Sequence, residues 1–287
     1  ISATGRFILS YNGEIYNFPE LKQDLIKLGI KFKGTSDTEV LLASIEMWGL
    51  QVAISRCIGM FAFALWDRSK NKLSLVRDRL GVKPLYWGLF NSLFIFGSEL
   101  HALKSCAGWD QEIDRNSLSA YSRWNYIPSP HSIFKGVYKL EPGSILTIAP
   151  NSQPVIKKYW NLRSIINSQD IVDINDSEAI NQFESILSES VRSRLISDVP
   201  LGAFLSGGID SSLITTLMQK ESINPIQTFT IGFHDNRYNE ANNAKLISGH
   251  LSTNHTELYV GPEEALEIIP SLSDIYDEPF ADSSQLP

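Results

Sequence analysis

The sequence predicts two folded halves of different class, an α+β half followed by an α/β half. Three observations predict this. As far as about residue 150, apolar residues gather in short strand-like runs, with two amphipathic helices near the start. Beyond 176, strand-like and helix-like runs alternate. The stretch between, 150–176, is polar and rich in turn residues. Strand–helix alternation builds βαβ units on a parallel sheet, whereas runs of strands with few helices build an α+β layer arrangement.

The elements follow in order. RFILSY opens as a strand. Leu21, Leu25 and Leu28 fall at helical spacing, with Asn17 as the expected N-cap, Pro19 in the first turn and Gly29 just past the end. Leu41, Ile45 and Trp48 mark a second helix, and Ser36 with Glu39 fits a capping box at its start. MFAFALW, KLSLVR, LYWGLF, SLFIFGS and SILTI read as strands. Runs this continuously apolar imply sheets covered by helices or by another sheet. In the second half, Ile180, Phe183, Leu187 and Val191 form a helical stripe. LGAFL (strand), SLITTLMQK (helix), IQTFTIGF (strand), a helix around Ala244, Ile247 and Leu251, and HTELYV (strand) come next. A last helix is marked by Ala265, Ile268, Leu272 and Ile275. The expected limits are a first domain over 1–160, a linker over 161–176 and a second domain over 177–287.

The bulk properties narrow the function classes. A charge of −7 argues against a general nucleic-acid or anionic-membrane binder, although a local basic site remains compatible with it. No apolar run is long enough to span a bilayer and no signal peptide is visible. Cys57 and Cys106 have neither metal-like spacing nor a disulfide framework, which fits a reducing, cytoplasmic setting. The chain opens on Ile1 with a strand pattern almost at once, and EPFADSSQLP stops without a closing element. It reads as part of a longer polypeptide.

SGGIDSS, residues 206–212, sits between an expected strand and an expected helix. Free N–H groups at a helix N-terminus, with the helix dipole, favour an anion. Gly207 and Gly208 let the backbone come close to it, and Ser206, Ser211 and Ser212 can add hydroxyl donors. No Lys follows the glycines, so this is not a Walker A loop. The segment resembles the pyrophosphate loop of the ATP-pyrophosphatase family. That resemblance implies ATP on Ser206, Gly207, Gly208, Asp210, Ser211 and Ser212, with Leu205 and Ile231 flanking the nucleotide. It also implies Mg²⁺ at Asp210. An acidic helix cap is an equal reading of Asp210, and core positions are an equal reading of Leu205 and Ile231.

NGEIYN at 12–17, TSDTE at 35–39, GMFAFAL at 59–65 and RDRLGVKPLY at 77–86 fall in this order ahead of DVPLGAFLSGGIDSS. Together they resemble the glutamine-hydrolysing asparagine synthetase family across nearly the whole chain. The implied fold is an N-terminal-nucleophile hydrolase αββα sandwich, incomplete at its start, then an incomplete parallel-sheet ATP-pyrophosphatase domain. The resemblance implies an oxyanion hole from the Asn12 side chain and the Gly13 N–H, with Glu14 and Asp37 facing the α-ammonium of glutamine. It places Met60 on an ammonia channel. Read alone, Asn12-Gly13 is also a good hairpin turn, Asp37 a favoured acid in a helix first turn, and Met60 a core filler.

The family nucleophile, an N-terminal cysteine, and the arginine for the glutamine carboxylate fall upstream of Ile1, while most of the acceptor pocket falls beyond Pro287. Cys57 and Cys106 match neither position and read as inert. The chain as given is therefore expected to lack glutaminase activity. Glutamine, ATP and aspartate are the implied small-molecule partners, with no nucleic acid and no membrane; a homodimer stays open. Two alternatives remain: a relative amidating a sugar, peptide or other small-molecule carboxylate, and a non-catalytic nucleotide-binding remnant.

Overall fold

The computed structural model describes residues 1–90, 93–106, 108–109, 111–168, 174–234 and 239–282. The described residues within Ile1–Asp170 and Ser273–Asp282 form one unit, and those within Ile171–Leu272 form the other.

The first unit opens with β1 (Phe7–Ile15), α1 (Phe18–Lys27), α2 (Asp37–Trp48), α3 (Leu50–Arg56) and β2 (Gly59–Asp67). Then follow β3 (Lys72–Arg77), β4 (Tyr86–Phe90), β5 (Leu93–Gly97), α4 (Leu100–Lys104) and α5 (Arg115–Trp124). β6 (Val137–Lys139), β7 (Ser144–Ile148), β8 (Val155–Lys158) and α6 (Leu162–Ser168) complete it. One antiparallel sheet has the order β1-β2-β3-β7-β8 and a second the order β5-β4-β6.

The alternation of MFAFALW explains how the layers stack. Phe61, Phe63 and Leu65 point to one face of the five-stranded sheet and pack on α1, α2 and α3 through Leu21, Leu25, Leu41, Ile45 and Ile54. Each such side chain gains about 1.5–3 kcal/mol from full burial. Ala62 and Ala64, on the opposite face, let the second sheet approach, with Leu75, Leu85, Leu140 and Leu146 buried between them and Trp87 and Phe94 packed alongside. The outer face of the three-stranded sheet buries Tyr86, Ile95 and Val137 against Leu100 and Leu103 of α4. Helices, sheet, sheet and helices are therefore the layers of this unit.

RDRLGVKPLY, between β3 and β4, organises a loop. The buried Asp78 carboxylate accepts N–H bonds from Phe61 (3.2 Å), Leu80 (3.1 Å), Val82 (3.0 Å) and Lys83 (3.0 Å). Arg77 donates to the carbonyls of Lys83, Leu140 and Gly81.

The second unit contains α7 (Asp176–Ser193), β9 (Gly202–Phe204), α8 (Ile209–Glu221), β10 (Gln227–Phe233), α9 (Ala241–Leu251), β11 (Asn254–Val260) and α10 (Pro262–Ile268). Its sheet has the order β11-β10-β9 and both pairings are parallel. These are the βαβ units read from the alternation.

Several local expectations need correction. Asn17 sits at the N-cap of α1 but makes no capping bond there. Its side chain instead accepts from the Ile58 N–H and donates to the Arg56 carbonyl, tying the chain around α3. The capping box of α2 is half formed. Ser36 accepts from the Glu39 N–H, while the Glu39 carboxylate turns to the N–H groups of Lys33 and Gly34. The last expected helix is broken. A 3₁₀ turn over Ile269–Ser271 separates α10 from α11 (Leu272–Ile275), because Pro270 has no N–H to continue the helical ladder. Separately, α6 lies within 161–176, and residues 273–282 group with the first unit.

Candidate functional site

Two of the predicted groups lie on the edge of the five-stranded sheet. Asn12 and Gly13 are not in a turn; they lie inside β1, opposite Ala62 and Phe61. β1 has a pairing partner on one side alone among the described residues. N–H groups two residues apart along a strand point the same way. The Tyr16 N–H reaches the Ile58 carbonyl on the β2 side, whereas the Ile15 N–H points outward to Asp37 Oδ2 at 3.0 Å. The Gly13 N–H therefore faces the same open edge as the Asp37 carboxylate. Glycine is required at 13 by packing: a Cβ would collide with the Met60 carbonyl and stand 2.7 Å from Phe61 Cα.

Asp37 begins α2, so the helix start brings it to the strand edge. Its Oδ2 also accepts from the Tyr11 hydroxyl at 2.7 Å, and Thr38 Oγ1 bonds Oδ1 at 3.1 Å. Burial, followed by the hydrogen bond to Asp37, pushes the Tyr11 hydroxyl far above its ordinary pKa, so it remains a donor. Asn12 Nδ2 donates to Ser98 Oγ at 3.3 Å, just past β5. Glu14 is paired in register with Met60. By strand alternation Asn12, Glu14, Met60 and Ala62 share the face turned to the second sheet. Met60 is half-buried there.

The second candidate is the turn from β9 into α8. Gly207 has φ +80°, and a Cβ on it would stand 2.6 Å from Asn243 Cβ and 2.9 Å from the Ala244 N at the start of α9. Glycine is thus needed by both conformation and close approach. Gly208 is the N-cap of α8. The first intrahelical bond runs from the Ser212 N–H to the Gly208 carbonyl, 3.1 Å, so the Ile209, Asp210 and Ser211 N–H groups open outward as helix-start donors. The serines are more committed than the sequence implied. Ser206 Oγ and Ser211 Oγ are 3.0 Å apart, and the Ser212 hydroxyl donates back to the Gly208 carbonyl at 2.6 Å. Asp210 is exposed in the first turn. Leu205 is 1% exposed, so its side chain belongs to the core. Ile231 is half-buried on β10.

Cys57 is buried and donates to the Ala53 carbonyl at 3.2 Å; burial pushes its thiol up to about 12, which leaves almost no thiolate at neutral pH. A groove of about 490 Å³ lined by Arg6, Ile45, Asp67, Lys72 and Lys158, among others, contains none of the predicted residues. Among the described residues no group of three His, Cys, Asp or Glu side chains is placed to hold a metal, and no helix is long and apolar enough to cross a membrane.

Sequence reasoning missed Tyr11, Ser98 and Asp277. Tyr11 and Ser98 lie in strand-like runs whose local pattern gives no sign of a polar role. Asp277 accepts from the N–H groups of Leu100 and His101, across a sequence separation of 177 and 176 residues.

Residues 1–160 match the family model described as a glutamine amidotransferase domain, and residues 182–287 match the model described as asparagine synthase. The chain is 35% identical over 279 residues to asparagine synthetase [glutamine-hydrolyzing] 1 of Bacillus subtilis, covering 96% of this chain and 43% of that protein. It is 35% identical over 285 residues to a putative asparagine synthetase [glutamine-hydrolyzing] 2 of Methanocaldococcus jannaschii, covering 98% of this chain and 53% of that one. The chain thus spans about half the length of the curated relatives it matches. A solved glutamine phosphoribosylpyrophosphate amidotransferase from B. subtilis aligns at 15% identity and a TM-score of 0.43 over 91% of this chain and 72% of that one. The open-edge N–H beside a carboxylate and the strand–SGG–helix turn occur in one polypeptide whose two halves match these two models. The chain belongs to the glutamine amidotransferase domain family, joined to an asparagine synthase domain as in the glutamine-hydrolysing asparagine synthetases.

Proposed function

We propose that the protein carrying this chain is a glutamine-dependent ligase that makes asparagine, converting aspartate, ATP, glutamine and water to asparagine, AMP, pyrophosphate and glutamate. The observation that carries this reading is 35% identity to proteins of that name running across both halves of the chain. Residues 1–160, an N-terminal-nucleophile hydrolase sandwich in this reading, contribute the oxyanion and α-ammonium contacts of the glutamine site, and 177–287, part of an ATP-pyrophosphatase sheet, contribute to ATP binding.

In the first half the Asn12 side chain and the Gly13 N–H stabilise the oxyanion formed when the glutamine amide is attacked. Their support is the outward Gly13 N–H and an Asn12 amide already fixed on one side by Ser98. Asp37 and Glu14 hold the α-ammonium. Tyr11 and the Ile15 N–H occupy Asp37 Oδ2, while Oδ1 accepts from Thr38 Oγ1 and keeps a second lone pair to offer to the substrate. Ammonia, small and neutral, leaves along a path lined by Met60. Met60→Trp is expected to separate glutamine hydrolysis from amide formation, with free ammonia appearing in solution; unchanged coupling refutes the channel role.

In the second half the helix-start N–H groups at Ile209–Ser211 receive the pyrophosphate portion of ATP, supported by the glycine at 207 and the helix dipole. Mg²⁺ is commonly held by one or two carboxylates with substrate phosphates supplying the remaining oxygens, so a single exposed Asp210 fits it; the ion would neutralise phosphate charge. The aspartate side-chain carboxylate, a poor electrophile, becomes reactive once AMP is its leaving group.

The test is isotopic ATP–pyrophosphate exchange in the complete polypeptide with aspartate and with other acids, followed by mass analysis of the amide formed from glutamine. Aspartate-dependent exchange and asparagine as the product are expected. Exchange with a different acceptor overturns the substrate, and no exchange with any acid favours a nucleotide-binding remnant.

A further inference from the structure

We propose that Asp277 is a positioning residue for the glutamine site: it holds the start of α4, thereby fixes Ser98, and through Ser98 orients the side-chain amide of Asn12. This rests on the reading of Asn12 as an oxyanion donor.

The chain leaves the first unit near Asp170 and re-enters it at Ser273–Asp282. The returning stretch brings in two largely covered carboxylates, Asp277 with a side chain 16% exposed and Glu278 at 10%. Glu278 accepts from the Ile133 N–H at 2.8 Å and pairs with Lys139, which anchors the stretch. Asp277 Oδ2 accepts from the Leu100 N–H at 2.7 Å, and Oδ1 accepts from the His101 N–H at 2.9 Å with His101 Nδ1 at 2.8 Å.

Leu100 and His101 are the first two residues of α4, a five-residue helix whose N-cap, Glu99, makes no side-chain cap bond. A helix this short has no stability of its own. Its first donors are satisfied by a residue that falls outside the 1–160 span of the amidotransferase match. Ser98 lies two residues before Leu100, in the turn this cap holds. The Asn12 amide has two N–H hydrogens and can rotate or flip. Donating one to Ser98 Oγ fixes the plane of the amide and aims the second at a fixed point. Without the cap, the turn carrying Ser98 loses its anchor, and Asn12 regains rotation where donor geometry matters most.

The experiment uses the complete polypeptide and glutamine hydrolysis as the readout. Asp277→Ala and Ser98→Ala should each lower kcat on the order of tenfold with KM for glutamine within about twofold. The double variant should be no worse than the poorer single variant, as for two residues acting through one contact. Asn12→Ala is measured alongside. If it impairs hydrolysis while Asp277→Ala leaves kcat of the folded enzyme unchanged, or if Asp277 and Ser98 act additively, the inference is overturned. If Asn12→Ala has no effect, the oxyanion reading fails instead. The positional claim is then decided by NMR on the 1–287 chain, where Asp277→Ala should shift the Asn12 side-chain NH₂ resonances and expose the Leu100 and His101 amides to exchange. Unmoved Asn12 resonances overturn it. Should Asp277→Ala not fold, Asp277→Asn, which keeps one acceptor oxygen, serves in every arm with a smaller effect in the same direction.

Discussion

Replacing Asp78 with Ala removes the acceptor of four backbone N–H groups at once. Hydrogen bonds to a charged partner contribute about 1.5–3 kcal/mol each, so a plain sum would be about 6–12 kcal/mol. The structure reduces that figure. Leu80 and Val82 are 70% and 58% exposed, so water replaces the lost acceptor for their N–H groups. Phe61 is 1% exposed and Lys83 partly covered, so their N–H groups are left without an equivalent partner. Two such groups cost about 3–5 kcal/mol, at about 1.5–2.5 kcal/mol for each buried donor left without its charged acceptor. All six tryptophans fall within Ile1–Asp170, so tryptophan fluorescence during urea unfolding reports on the first unit. At a slope of about 2 kcal/mol per molar, the midpoint should fall by about 1.5–2.5 M. Asp78→Asn, which keeps one acceptor oxygen, should fall between. A loss below about 1 kcal/mol for Asp78→Ala would refute the reasoning. Phe61 lies opposite Gly13, so the same variant should also loosen the strand pair that carries the candidate oxyanion donor.

Other outcomes follow from single contacts. Tyr11→Phe removes one of the two donors on Asp37 Oδ2 and should raise KM for glutamine on the order of tenfold in the complete polypeptide, with kcat little changed; a fall in kcat alone would assign Tyr11 elsewhere. The Arg6 guanidinium, bonded to Asp67 at 2.6 and 3.0 Å, holds that carboxyl well below the usual carboxylate range. A depressed carboxyl stabilises the fold above its unfolded pKa of about 3.9, and that stabilisation is lost as pH falls through the folded value. The stability gap between wild type and Arg6→Ala should therefore be full at neutral pH and close below about pH 4; a gap that widens on acidification contradicts the assignment. Asp210→Asn should reduce ATP–pyrophosphate exchange and leave glutamine hydrolysis largely intact, and equal loss of both in a folded variant argues against a role at the nucleotide.

The parts of this molecule legible in the sequence are those written in local periodicity. MFAFALW showed its strand, and its Phe and Ala positions turn out to separate the helix layer from the second sheet. SGGIDSS showed a strand-to-helix turn, which β9 and α8 form. Asn12-Gly13 shows the limit. As a dipeptide it favours a turn, yet nine residues pair it continuously with β2, and tertiary pairing overrides the local preference. The stripe of α7 was legible as a helix but not as a core face: Ile180 and Phe183 are 63% and 61% exposed, and Val191 is the one buried residue of α7. Ser98, Tyr11 and Asp277 escaped because each acts through a partner many residues away, 86 for Ser98 and 26 for Tyr11, and no local pattern encodes such a pair.

The homing of Asp277 and Glu278 on Leu100, His101, Ile133 and Lys139 bears on how such genes can recombine. A chimera spliced at the polar stretch after residue 160 would import the donor's side chains at the positions of 277 and 278 while keeping the host's helix start and host lysine. Unless the donor also carries two acids there, the host half inherits two uncapped amides and a largely covered, unpaired ammonium. Exchange of synthetase halves between relatives is thus constrained by a ten-residue patch rather than by the splice point, and a graft that retains the host's 273–282 should express and fold where a simple swap does not.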